Sequence, residues 1–328
     1  MNNHHEQRAG DPGQEFAHDV DQEYDQEFSN NFRLLHIAKY LFRLRAEELI
    51  RLPPEKGSTF HGAFGHALKR ISPFYYQELF EPGNDGAKPK PFVLLPPLDS
   101  KEAYPVGHSF TCELTLFGKA EQYFPICHAA LEFLGKEMGL GQNRGKFSVA
   151  AVEQACPLQS KPSFAESGSL TCQDIAASCP LSVNNDRLTM HLPTRLRLKA
   201  DGHLLSRAPE FDLFLARLLG RINTLSSLYG HGKMVERELR EQLITRARER
   251  IQLDSTKTDA CWRELPRFSG RQQQWMKFGG LFGSVTWQGR AEDFQPFLPY
   301  LAIGEWIHVG GKSSFGLGKY VVGRQNRG

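Results

Sequence analysis

The six cysteines of this 328-residue chain, Cys112, Cys127, Cys156, Cys172, Cys179 and Cys261, include no CxxC pair, which excludes the signature of a zinc ribbon or a redox dithiol. Cys156, Cys172 and Cys179 share one segment and are read as scattered reduced thiols. No apolar run reaches the length of a membrane span, and the N-terminus shows no charged-then-apolar pattern. A cytoplasmic protein with no membrane partner is therefore expected. The sequence clusters no carboxylates into a metal motif, so neither a metal nor a cofactor is expected. A nucleotide-triphosphate loop is missing too. Gly311-Lys312-Ser313 reads like the end of one, but its first glycine would fall at Trp306, and the following KYVVGR has no helical period.

What is present is an uneven charge. The net charge is only +3, yet residues 1–31 hold eight acids and one base, leaving 39 bases against 29 acids, or +10, on the rest. A basic body of this kind suits an anionic polymer. Residues 1–31, polar and without periodic apolar positions, read as a disordered acidic tail.

Beyond the tail, hydrophobic periodicity gives a strand through Ile37–Leu44 and a helix over 59–71, with Thr59 as cap and Phe60, Phe64, Ala67, Leu68 and Ile71 on one face. Strands in PFVLLPP and GHSFTCELTLFG follow, then a helix over 120–139 and a strand over 145–155. The order β-α-β-β-α-β is the split βαβ unit. A second round starts with the strand DRLTMHLPTRLRLKADG and the helix PEFDLFLARLLGRINTLSSLYG, then the strand KFGGLFGSVTWQG, the helix AEDFQPFLPYLAIGEWI and the strand KYVVGR. The strand needed between 240 and 270 is only faintly visible. An α+β fold of tandem ferredoxin-like (RRM-like) domains is predicted: 32–156, and 187–328 after a linker or insertion at 157–186.

The C-terminal loop GGKSSFGLGK is the densest functional signal. Gly310, Gly311, Gly316 and Gly318 permit positive φ and bring bare N–H groups close to a ligand, and Lys312 and Lys319 add charge. That combination suits a polynucleotide backbone, with Ser313 and Ser314 inside the loop. A loop whose glycines only permit tight turns is the alternative.

The helix opening FHGAFGHALKR, the strand LPTRLRLKADG before FLARLLGRINTLSSLYG, FSGRQQQWMKFGGLFGSVTW and the loop HVGGKSSFGLGKY together resemble the CRISPR-associated precursor-RNA processing endoribonucleases of the RAMP superfamily. The resemblance covers most of 33–324 and is most specific in the C-terminal third. It implies metal-independent cleavage of CRISPR repeat RNA by attack of a 2′-hydroxyl, leaving a 2′,3′-cyclic phosphate, and association with a CRISPR effector complex. A non-catalytic RAMP subunit that holds guide RNA is the other reading.

Such chemistry calls for His, Tyr, Lys or Arg side chains. The segment after the first helix holds Tyr75 and Tyr76 but no histidine. His61 and His66, five apart, point about 140° from each other, so only one can face a substrate. Lys69 shares the face of His66, making His66, Lys69 and Tyr76 one candidate catalytic set. His308, beside Lys312, is the second candidate, as a catalytic group or as a brace for the loop. Arg195, Arg197 and Arg271 are read as phosphate contacts, or else as a solvated strand edge.

Overall fold

The computed structural model describes residues 31–83, 88–155, 169–178, 181, 183–264, 266–269 and 274–323. The expected acidic tail, Cys156, Cys179 and Arg271 lie outside the described residues.

The first unit is built on β1 (His36–Ala46), α1 (Gly57–Ile71), α2 (Pro73–Phe80), β2 (Phe92–Leu95), β3 (Ser109–Phe117), α3 (Phe124–Phe133) and β4 (Phe147–Gln154). Its antiparallel sheet runs β2-β3-β1-β4, with β1 and β3 in register from Ile37 opposite Phe117 to Arg45 opposite Ser109. Alternation fixes that register: Phe110, Cys112 and Leu114 of β3 are buried, while Ser109 and Thr111 face out. On α1, the face Phe60, Phe64, Ala67 and Leu68 is buried as its spacing predicts. The helix starts two residues before Thr59, at Gly57, and Lys56 occupies the cap position.

The helix expected over 120–139 is broken into three. A 3-10 segment covers Gly118–Tyr123, α3 follows with Pro125 in its first turn, and a π turn over Leu134–Met138 ends at Gly139. Proline has no N–H to continue the preceding helical ladder, so the regular α-helix begins at its position. The expected linker is also partly structured. Leu170–Thr171 pairs with β1, and α4 (Cys172–Ser178) buries Cys172 and Ile175 in the core of the second unit. Burial pushes the Cys172 thiol well above its ordinary range, which makes it a small apolar side chain rather than a ligand.

The second unit repeats the plan with β5 (Arg187–Leu196), α5 (Phe211–Tyr229), α6 (Arg237–Arg250), β6 (Gln252–Leu253), β7 (Cys261–Arg263), β8 (Gly280–Gln288), α7 (Leu298–Ile307) and β9 (Val321–Val322). Its sheet runs β6-β8-β5-β9, and β7 also pairs with β8. Taking β6 and β7 as one broken second strand, the order is the same as in the first sheet. The faint strand is thus two short pieces, split by a turn in which the Asp254 carboxylate accepts from Thr256 and Arg187. The charged helix α6 lies outside the sequence expectation; it buries only Leu239, Leu243 and Ala247, one residue per turn.

The two units share one core. Phe32, Leu35, Ile37, Val93 and Phe117 of the first pack with the apolar faces of α5 and α7. Lys39 Nζ lies 4.2 Å from the centre of the Trp306 ring. The glycine loop closes the other end of the contact. Its 3-10 turn, Ser313–Phe315, sits against β2 and the start of α1, and Gly316, at φ 84°, meets Pro96, Leu94 and Leu95.

Gly316→Val would add a β-branched side chain at positive φ against β2. Chemical denaturation should show it less stable than the parent by about 2 kcal/mol or more. A variant with the parent's unfolding midpoint would mean that the loop is not docked in solution.

Candidate functional site

The exposed face of α1 carries His66, Lys69 and Arg70, spaced by three and four residues, and these side chains point out together as the opposite face packs inward. They form one wall of a cleft of about 550 Å³, whose far wall is Glu137, Met138, Gly139, Gly141 and Arg144. That wall is pinned. Gln142 N–H donates to the Arg51 carbonyl at 3.1 Å, and Asn143 Oδ1 accepts from Arg51 N–H at 2.9 Å. Arg144, at φ 51°, lines the cleft opposite the helix.

One acid, Glu137, thus faces three fixed cations and a histidine. Among the described residues His66, Arg70 and Arg144 make no ion pair. Lys69 Nζ lies 5.1 Å from the centre of the Tyr76 ring, which is stacked on Phe80. Tyr76 therefore supports Lys69 from the side, with its hydroxyl directed to Glu81 at 3.4 Å. Lys69 and Arg70 end α1 at the negative pole of its dipole, which stabilises their charge without an acidic partner.

His61 points the other way, as the helical angle requires. It is buried, stacked on Phe315 with ring centres 3.7 Å apart.

His308 is a brace. It is 1% exposed, and its Nδ1 is 3.2 Å from the Leu317 carbonyl oxygen. Burial, with Lys319, Lys39 and Arg221 nearby, holds its pKa well below the usual imidazole range. The ring is neutral and donates to that carbonyl. Arg221 caps the end of α7 by donating to the Ile307 and His308 carbonyls at 2.7 and 2.5 Å. Burial lowers its pKa to about 10, which leaves it charged at neutral pH.

Much of the glycine loop is likewise internal support. Ser313 and Ser314 are buried. Gly316 O accepts from Thr194 Oγ1 at 2.9 Å, Gly318 N–H donates to the Arg195 carbonyl, and Lys319 Nζ donates to the Glu305 carbonyl at 2.8 Å. Arg195 is paired across the domain junction with Glu55. The tip, Gly310-Gly311-Lys312, is bridged to Arg197, with Gly311 N–H donating to the Arg197 carbonyl at 2.8 Å. Gly311 and Lys312 are exposed beside a cavity of about 570 Å³ that Arg197, Lys199 and Arg217 also line. Arg197 is steadied by the Gly279 carbonyl and by the Phe278 ring, 5.8 Å away.

Arg70, Arg144, Lys199 and Arg217 were not among the sequence candidates. Arg70 could have been found, since it follows His66 by four residues. Arg144 comes from a turn whose partner, Arg51, is remote in sequence. Among the described residues no group of three or more His, Cys, Asp or Glu side chains could hold a metal ion, and no helix is long and apolar enough to cross a membrane.

Residues 188–320 match the family model of the CRISPR-associated endoribonuclease Cas6, and residues 34–175 match a model, AF_1859_N, described as an N-terminal domain. No curated protein matches the sequence. Among solved structures, a product complex of Cas6 (TTHB231) is 18% identical with a TM-score of 0.57, covering 88% of this chain and 99% of that one. Thermus thermophilus Cas6 (TTHB231) is 16% identical with a TM-score of 0.56, covering 88% and 98%. A partial Cas6-RT-Cas1--Cas2 complex is 15% identical with a TM-score of 0.61, covering 90% and 47%. At these identities the likeness concerns the fold: the tandem ferredoxin-like arrangement is that of the Cas6 structures.

If His308 is only a brace, His308→Ala should destabilise the protein by about 1–3 kcal/mol, as loss of a partner leaves a buried carbonyl unsatisfied. Denaturant titration reads the loss, and unchanged stability would free His308 for another role.

Proposed function

We propose that this chain, a Cas6-type RAMP protein whose residues 188–320 belong to the CRISPR-associated endoribonuclease family, cleaves precursor CRISPR RNA in the cleft between α1 and the 137–144 turn. One observation carries the reading: His66, Lys69 and Arg70 share the open face of a helix opposite Arg144, with a single carboxylate among them.

In that cleft the His66 imidazole takes the proton of the 2′-hydroxyl, whose oxygen attacks the adjacent phosphorus. The bond to the 5′ oxygen breaks, and that oxygen takes a proton from the Lys69 ammonium. Arg70 and Arg144 balance the charge that grows on the non-bridging oxygens. The products are a 2′,3′-cyclic phosphate and a 5′-hydroxyl. A set of three fixed cations and one acid supplies these roles from side chains alone, in keeping with metal-independent cleavage.

RNA reaches the protein through its backbone at a second place, the Gly310–Lys312 tip with Arg197, Lys199 and Arg217. The product complexes of the similar Cas6 structures fit a repeat RNA as the substrate, and the complex with RT, Cas1 and Cas2 fits work inside a larger CRISPR assembly.

The test is incubation with labelled CRISPR repeat RNA in EDTA. The expected product ends in a cyclic phosphate, and a 2′-deoxy substitution at the scissile nucleotide blocks it. Tight binding without cleavage would instead make the chain a guide-holding subunit. His66→Ala should slow cleavage by roughly 10² or more while affinity stays nearly intact; cleavage at the parent's rate would remove His66 from the mechanism. Lys312→Ala should weaken binding across RNA sequences and flatten its salt dependence. A loss confined to particular sequences would mean that Lys312 reads a base.

A further inference from the structure

Immediately beyond the cationic end of α1, Ser72 breaks the helix and α2 begins at Pro73, placing Phe74 in its first turn. Phe74 is 60% exposed. The inward face of α2 is Leu79 and Phe80, so packing does not require an aromatic at 74.

The ring is nevertheless backed. It meets Tyr75 edge-on with centres 5.1 Å apart at 78°, and Tyr75 meets Tyr123 in the same way at 5.0 Å. The other exposed phenylalanine among the described residues, Phe282, has the Arg263 guanidinium 5.7 Å from its ring centre. Arg70 is four residues before Phe74, so their Cα atoms are at most about 14 Å apart. An open aromatic face backed by Tyr75 and Tyr123 thus follows closely in the chain on the cations at 69 and 70.

We propose that Phe74 is a stacking platform for an unpaired nucleobase of the RNA whose backbone occupies the α1 cleft. The proposal rests on the RNA-processing reading above. Charge favours this occupant: the neighbouring wall is cationic and calls for a polyanion, and a nucleotide next to a bound phosphate presents a flat π face that needs covering from water. Because every base has such a face, the platform adds affinity and fixes the register of the strand without itself reading sequence. It is a positioning residue.

The experiment uses the full chain and the repeat RNA made uncleavable by a 2′-deoxy at the scissile nucleotide, with 2-aminopurine placed in turn at each unpaired position. The parent should quench the fluorescence at one position or two adjacent ones. Phe74→Leu and Phe74→Ala should abolish that quenching and weaken binding roughly 5- to 100-fold, whereas Phe74→Trp should retain both. Circular dichroism should show all three variants folded, since the side chain is exposed.

Parent-like quenching and affinity in the Leu and Ala variants would overturn the platform and leave the RNA-processing reading standing. A parent that binds no repeat RNA would overturn both. Should Phe74→Ala instead change the sedimentation of the protein with RNA binding untouched, the ring belongs to a protein contact and the proposal is wrong.

Discussion

The arrangement of this molecule depends on how Phe315 is seated. Its ring stacks on His61 of α1, packs edge-on to Phe278 at 5.6 Å, and lies in a loop whose next residue presses on β2. A Cβ at Gly57 would collide with the Phe315 carbonyl oxygen, so the first turn of α1 has to be bare for the loop to approach. Two polar contacts accompany it, the Arg195–Glu55 ion pair and the Thr194 hydrogen bond to Gly316. An ion pair with a partly exposed carboxylate contributes about 0–1 kcal/mol, and the Phe315 ring, which is half-buried, contributes less than the about 1.5–3 kcal/mol of full burial. The apolar seat and the polar contacts are thus of the same order, and the polar contacts fix the orientation of the ring.

That seat matters for chemistry because α1 is shared. Phe315 meets the helix at its beginning, and His66 lies nine residues after Gly57, about 13 Å along a stiff rod. The placement of His66 against Arg144 is thus set from two sides: by the loop of the second unit at one end of α1, and by the 137–144 turn of the first unit beside the other. Cations can collect there because the C-terminal pole of the helix favours them and because Tyr76 offers Lys69 a ring face instead of a carboxylate. An acidic partner would have neutralised the charge that a phosphate needs.

Most of both sheets was legible in the sequence, since β3 and β5 alternate along much of their length, while the broken strand β6–β7 was faint. The geometry of α1 was legible too: a step of five from His61 to His66 turns them to different faces, and one is stacked in the core while the other is open. Less visible was α6, whose three buried side chains among so many charges give little periodic signal. The break at Pro125 was written in the sequence but was overridden by the apolar run around it. The roles within GGKSSFGLGK were not legible at all. Glycine at a tight approach to protein and glycine at a tight approach to phosphate look the same, and the partner that decides between them, Gly57, is far away in the chain.

This double demand explains the composition of the loop. Within residues 313–318, Phe315 stacks on α1, Gly316 meets β2 and accepts from Thr194, and Gly318 N–H donates to the Arg195 carbonyl. Gly310–Lys312 is held by Gly311 N–H donating to the Arg197 carbonyl at 2.8 Å, with Gly311 and Lys312 exposed beside a cavity lined by Arg197, Lys199 and Arg217. A rigid base under an open basic tip suits an anion that must be held without moving the loop. Because the same anchored base sets one end of α1, the tip and the cleft belong to one mechanical unit while their exposed side chains remain separate. On the proposed function, changes at the tip act on affinity and changes at His66 on rate, while a change at the seat of Phe315 reaches both.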